Sequence, residues 1–482
     1  MNRPTSPGHL PKINELTSSS PAAATSRASR KLAKIETLID DHDIDGALKQ
    51  IAAGAELSDP DWQAQRAAVA FRAGRLGLFR RILERTTARR SPNGIVLAAQ
   101  YHLAIGETAR AKQLLDEALA QAPNLPAALQ LMAMMMLIQG CMPEAARALR
   151  KFVSLPNEEK RGLPAEDIFP GLLRLADGFG LATPYAIRAR CRRLTLPLVP
   201  GQHLMFINVM INGQGPFRLA LDTGGSFLVS LDQSLSKTLN IKPLGELVAY
   251  GISGRAAGKA QILNNLTWGG MSVDNVPCIS YPFDELAGKL GEELHGIFGT
   301  GWLRRFQLKI DLHKNEALIE QPDSLPPRSR SWHAEVFRSG GQRRVSVPFL
   351  FLGDGKICFQ ATAGERRFWA LLDTGAAKPI FSTRLVRKLI PHEQLTSLSV
   401  PIGGMGESAP ELEALTGPAI DVNLGSMTYN IPQSIGLSLL EHHLNPLLGM
   451  EIDLIAGAPL LRMTGGITIH FPSQRLIFPF PK

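Results

Sequence analysis

The tripeptide Asp-Thr-Gly occurs twice, each time closing an apolar run that reads as a buried strand. The runs are Phe217-Arg-Leu-Ala-Leu-Asp222-Thr223-Gly224-Gly225 and Phe368-Trp-Ala-Leu-Leu-Asp373-Thr374-Gly375-Ala376. One such tripeptide is a weak signal, but the landmarks downstream of each copy recur in order. Gly251-Ile252-Ser253-Gly254 comes after Asp222 as Gly403-Gly404-Met405-Gly406 comes after Asp373. Next, Gly269-Gly270-Met271-Ser272 is echoed by Gly425-Ser426-Met427-Thr428, with Pro277 and Pro432 in the segments beyond. Finally, Ile297-Phe298-Gly299 and Leu447-Leu448-Gly449 place a glycine 77 and 76 residues after the respective aspartates. Four landmarks in one order at nearly equal offsets mark an internal duplication. The chain from about 197 onward must therefore fold as two similar units. Its β-branched alternation, frequent glycine and turns such as Asn212-Gly213 predict short strands.

Both halves resemble the retropepsin-like aspartic protease family, fused in tandem as in the two-lobed pepsin-like enzymes, over residues 197–482. The resemblance implies that Asp222 and Asp373 are one catalytic pair. It implies that Thr223 and Thr374 cross-link the two active-site loops, with Gly224 and Gly375 turning the backbone behind each aspartate. Gly251, Ile252, Ser253 and Gly254 would tip one flap over the substrate, and Gly403, Gly404, Met405 and Gly406 the other. Two carboxylates in contact suit peptide hydrolysis without metal or cofactor. Like charges so close share one proton, so one group can activate water while the other protonates the carbonyl. Gly225 departs from the family's usual Ser or Ala after the triplet, whereas Ala376 conforms. Neither can donate a hydrogen bond to the neighbouring carboxylate, which predicts activity nearer neutral pH. Lys378 is the cation that would oppose this, and Tyr250 lies near the first flap without aligning as a flap tyrosine.

The rest of the chain reads differently. Residues 1–33, rich in Ser, Pro and Ala, are expected to be a disordered arm. Residues 34–158 carry a helical pattern repeating near 34 residues: Gly106, Ala111, Leu115, Ala118 and Pro123 recur as Gly140, Ala145, Leu149 and Phe152. This resembles tetratricopeptide repeats, which implies a groove for a partner's peptide or helix. A plain helical spacer is the alternative. Residues 159–196 read as a helical connector, 197–320 as the first lobe, 321–344 as a Pro-, Ser- and Arg-rich linker, and 345–482 as the second lobe. The fold class is multidomain α + β: a helical repeat domain, then a mostly β bilobal domain.

Composition narrows the function classes. A net charge of +9 with 20% charged and 44% hydrophobic residues is ordinary for a globular protein. Arginines cluster at Arg80–Arg90, Arg188–Arg193 and Arg328–Arg344, but without aromatic interleaving they read as solvated faces and not as a nucleic-acid surface. No run approaches the roughly 20 apolar residues of a membrane span. Cys141, Cys191, Cys278 and Cys358 lack metal-ligand spacing and fit free thiols in a reducing, cytoplasmic setting. Asp41-His42-Asp43-Ile44-Asp45-Gly46 fails as a calcium loop because Ala52 stands where a glutamate is needed. Gly254-Arg-Ala-Ala-Gly258-Lys259-Ala260, Gly299-Thr300-Gly301 and Glu441-His442-His443 fail as phosphate, dinucleotide and zinc motifs respectively. The expected function is an aspartic endopeptidase, a monomer with an intramolecular dyad, whose helices dock protein substrates or a partner. The rivals are an inactive protease-like adaptor, lobes that pair between chains, and helices that merely hold the lobes closed.

Overall fold

The computed structural model describes residues 31, 34–35, 37–39, 43–54, 57–160, 163, 166–189, 193–201, 204–251, 254–320, 333–339, 341–400 and 412–480. Most of the N-terminal arm, the Asp41-His42 end of the calcium-like run and Cys191 lie outside them.

The helical part comprises α1 (Ile44–Ala53), α2 (Pro60–Arg72), α3 (Leu76–Arg85), α4 (Pro92–Ala104), α5 (Thr108–Gln121), α6 (Pro126–Gln139), α7 (Met142–Ser154) and α8 (Phe169–Phe179). Their starts are written locally. The Asp43 side chain accepts from Gly46 N at 2.8 Å and so caps α1, which makes the Asp43–Gly46 run a helix start. Asp59 caps α2 through Trp62 N at 2.7 Å, with Pro60 at the first helical position. Helices pair as α2–α3, α4–α5 and α6–α7, and each pair turns on a left-handed glycine: Gly74, Gly106 and Gly140, with φ of 67°, 71° and 83°. The repeat positions Ala111, Leu115 and Ala118, and Ala145, Leu149 and Phe152, are all buried.

The first lobe holds β1 (Ala186–Ala189), β2 (Arg193–Pro197), β3 (Met205–Ile211), β4 (Gln214–Leu221), β5 (Val229–Asp232), β6 (Pro243–Gly251), β7 (Gly254–Trp268), β8 (Met271–Tyr281), β9 (Gly296–Phe298), β10 (Gln307–Asp311) and β11 (Glu316–Glu320). The second includes β12 (Glu335–Ser339), β13 (Gln342–Leu352), β14 (Lys356–Ala363), β15 (Arg366–Leu372), β16 (Ile380–Ser382), β17 (Leu454–Ala456), β18 (Gly466–His470) and β19 (Arg475–Pro479).

Two boundaries differ from expectation. The connector is helical only through α8; β1 then pairs with β8 (Ala189↔Met271), and β2 with β11 (Leu196↔Ala317). Leu194 and Leu196 alternate with Arg193 and Thr195, a period of two that needs a neighbouring strand to be realised. The end of the expected linker is also ordered, because β12 and the start of β13 form a hairpin (Ser339↔Gln342). Every residue of β12 is exposed, and its charges suit a sheet edge.

The duplication is visible in the ladders. β4 runs parallel to β9 (Leu221↔Phe298), as β15 runs parallel to β17 (Leu372↔Ala456). Here one landmark is corrected. The structural partner of Ile297-Phe298-Gly299 is Ile455-Ala456-Gly457, because Asp222 N donates to Phe298 O and Asp373 N to Ala456 O, both at 3.0 Å. Leu447-Leu448-Gly449 instead ends the short helix Asn445–Leu448, where Gly449 adopts φ 67°. A π-helical turn over Leu440–Leu444 leads into that helix and displaces the true echo along the chain.

The lobes share one sheet. β10 pairs with β18 (Leu308↔Ile469, Ile310↔Ile467), β18 with β19, and β19 with β13. The helices are not an appendage either. One continuous core joins Phe71, Val96 and Met135 to Phe227, Leu352, Trp369 and Ile455. Trp369 Nε1 donates to Gly74 O at 3.2 Å, and a Cβ on Gly74 would lie 2.3 Å from that nitrogen. Arg72 Nε sits 3.3 Å from the buried Glu451 carboxylate, and Glu451 N donates to Arg72 O at 2.7 Å. No described helix is long and apolar enough to cross a membrane.

Candidate active site

β4 and β15 deliver Asp222 and Asp373 to one point. Each strand is apolar and buried toward its end, so its last residue is carried to the lobe interface, and a glycine then allows the turn. The loops are locked reciprocally. Thr223 Oγ1 donates to Leu372 O at 2.8 Å and accepts from Thr374 N at 3.0 Å. Thr374 Oγ1 donates to Leu221 O at 2.7 Å and accepts from Thr223 N at 3.0 Å. The two threonines are 1% and 0% exposed, so water cannot substitute for these bonds.

Glycine after each threonine is a steric requirement. A Cβ on Gly224 would lie 2.4 Å from Asp373 Cγ, and one on Gly375 would lie 2.6 Å from Asp222 Cγ. Each carboxylate therefore lies over the backbone of the opposite loop. Gly224 N donates to Asp222 Oδ1 at 2.7 Å and Gly375 N to Asp373 Oδ1 at 2.9 Å, which orients both groups. Burial pushes Asp373 well above the usual carboxylate range. The charge of Asp222 and a hydrogen bond between the two side chains push the same way, while the Gly375 amide and Lys356 pull back.

That cation was not foreseen. Lys378, the cation close in sequence to the second triplet, is exposed to solvent at the edge of the cavity that Asp222 and Asp373 line. Lys356, at the start of β14, instead reaches the opposite lobe and donates to Gly225 O at 2.8 Å. Nothing local in the sequence marks it, since it precedes Asp373 by a whole hairpin.

The segment expected as the first flap is the β6–β7 hairpin, closing at Gly251↔Gly254; Ile252 and Ser253 lie outside the described residues. Its outer side rests on the helical part. A Cβ on Gly171 of α8 would lie 2.7 Å from Glu246 O, and Arg174 donates to the same carbonyl at 2.8 Å. Tyr250 donates its hydroxyl to Asp167 at 2.6 Å, and Arg255 pairs with Asp167 at 3.2 Å. The second hairpin pairs Thr396–Val400 with Leu412–Gly417; its tip, with Gly403, Gly404, Met405 and Gly406, lies outside the described residues.

Asp222 and Asp373 open into a cavity of about 1060 Å³. The first flap contributes Tyr250 to its wall, and the helices contribute an apolar side that includes Phe71, Val96, Leu97 and Ile138. The chemistry such a site can perform is proton transfer between two carboxyl groups and a bound carbonyl or water, in a largely apolar enclosure. A family model described as aspartyl protease matches residues 207–302, which span Asp222-Thr223-Gly224, the first flap and Ile297-Phe298-Gly299. No curated protein matches the chain. Residues 207–302 are thus similar to an aspartyl protease domain, and that domain carries the first half of the site.

Proposed function

We propose that the chain is a single-chain aspartic endopeptidase with Asp222 and Asp373 as its dyad. The observation that supports this best is the reciprocal pair of threonine bonds, which sets the two carboxylates in contact within one chain. In this reading Asp373 holds the shared proton and gives it to the scissile carbonyl. Asp222 takes a proton from the attacking water, and the tetrahedral intermediate then collapses with protonation of the leaving amine. The flap and the helical wall exclude bulk water while this happens.

The helices, in the same reading, form one side of the substrate cleft and brace the first flap, a closer role than that of a detached docking module. Their apolar lining suits extended, hydrophobic segments of protein substrates. The test is cleavage of a mixed peptide library, read by mass spectrometry, with wild type, Asp222→Asn and Asp373→Asn. Each substitution should abolish cleavage, and an equimolar mixture of the two should restore none. Wild-type turnover in either single variant would refute the dyad; recovery on mixing would show that lobes pair between chains.

A further inference from the structure

The dyad is built by two copies of one motif, yet its surroundings are not symmetric. The ladder registers Phe206↔Ala220 and Cys358↔Leu371 align β3 with β14, each counted from its own aspartate. On that alignment Lys356 of the second lobe corresponds to Leu204 of the first. A charged residue stands on one side of the pair where a leucine stands on the other.

Lys356 is held in place. Its side chain is 13% exposed; Nζ donates to Gly225 O at 2.8 Å and lies 3.0 Å from Asp354 Oδ1. The turn that presents it bends through Gly353 and Gly355, whose φ values are 55° and 111°. Its target, Gly225, is the position where the sequence departs from Ser or Ala. A Cβ there would lie 3.1 Å from both Asp222 O and Gly299 Cα. Gly225, which has no hydrogen-bonding side chain of its own, is thus tied down from the opposite lobe, by a cation.

We propose that Lys356 is a positioning residue for the dyad: it anchors the first active-site loop through the Gly225 carbonyl and sets a positive charge beside the pair, so that one proton and one negative charge are retained between Asp222 and Asp373. This rests on the protease reading for its catalytic meaning. The charge is the active part of the device, because a neutral donor would hold the carbonyl equally well. Lys356 lines the same cavity as the two aspartates, and its charge favours an ionised carboxylate there, opposing the rise that burial imposes on Asp373. The other titratable groups nearby act differently. Burial keeps the Tyr281 hydroxyl and the Cys358 thiol protonated. Arg304, Lys378 and His443 line the same cavity: Arg304 is engaged over the Phe351 ring at 4.6 Å, Lys378 is exposed to solvent, which screens its charge, and His443 has its proton affinity lowered by burial. Asp354, 3.0 Å from Lys356 Nζ, offsets part of its charge.

The experiment compares wild type with Lys356→Met, Lys356→Gln and Lys356→Arg in the full chain. Two readouts are taken: the pH profile of kcat/KM on a cleaved peptide, and the carbon-13 carboxyl titration of the aspartates, assigned with Asp222→Asn and Asp373→Asn. Met and Gln should move both limbs of the profile, and the carboxyl midpoints, upward by about one pH unit. Arg should leave them in place. Midpoints that stay put in Met and Gln overturn the proposal, even if activity falls, because that would be a structural role alone. The carboxyl titration needs no turnover. Shifted midpoints in a wild-type background that cleaves nothing would therefore uphold the placement of the charge and sink the protease reading instead.

Discussion

Replacing Thr223 by valine tests whether the reciprocal bonds hold the lobes in register or merely accompany it. Valine is close to threonine in shape, so packing is retained while one donor and one acceptor disappear. Leu372 O loses the hydroxyl that reaches it at 2.8 Å, and Thr374 N loses its acceptor at 3.0 Å. Both sites are sealed from water, so each orphaned group carries its own desolvation penalty of about 1–3 kcal/mol. Together the loss is about 2–6 kcal/mol, a large share of the ~5–15 kcal/mol by which folded domains are stable. Thr223→Ser keeps both bonds and gives up only a buried methyl, about 1 kcal/mol. Urea unfolding followed by tryptophan fluorescence should rank wild type, Ser and Val in that order, with a wide gap before Val. On a peptide substrate, kcat/KM should fall in the same order, since the carboxylates ride on these loops. A valine variant within about 1 kcal/mol of wild type, or a serine variant as damaged as valine, would refute the reasoning.

Three further outcomes concern the contacts between helices and lobes and the dyad itself. Arg72→Met removes one cation from the buried Glu451, which still keeps Arg384 at 2.9 Å and Asn445 at 3.1 Å. The loss should therefore fall near about 3 kcal/mol, at the low end for a broken buried pair. Adding Glu451→Gln should recover part of it in a double-mutant cycle on the urea midpoint, and strict additivity would contradict the coupling. Asp167→Ala withdraws the acceptor for Tyr250 and Arg255, so amide exchange across 243–260 should quicken and KM should rise; unchanged exchange would show that the flap needs no brace. Asp373 has a folded pKa above its ordinary 3.8, so the folded chain retains a proton that the unfolded chain releases. The associated stability is present below about pH 4 and is lost as pH rises through the folded value, at ~1.4 kcal/mol per pH unit. Asp373→Asn has no such proton to lose. Its urea midpoint should gain on wild type as pH climbs from about 4 toward 7, and a pH-independent difference would contradict the raised value.

What could be read from the chain alone was whatever short range dictates. Asp222-Thr223-Gly224 and Asp373-Thr374-Gly375 stood out because a carboxylate at a strand end, a hydroxyl and a residue without Cβ are each required within three positions. The helix pairs were legible from Gly106 and Gly140, because a left-handed turn at a helix end favours glycine. The doubled order of landmarks exposed the two lobes. Counting offsets then failed at Gly457, since the helical turns over Leu440–Leu448 lengthen one copy and left Gly449 at the expected distance. The strands at 186–197 and 335–344 were missed because they acquire their hydrogen bonds from β8, β11, β19 or a hairpin partner, which local sequence does not show. Lys356 beside Gly225, Asp167 beneath Tyr250 and Arg72 against Glu451 carry no local signature at all. Each pair is brought together by lobes and helices folding onto one another. The energy of such a contact depends on burial and distance, which exist only after the chain has closed, and a sequence records the two residues without recording that they meet.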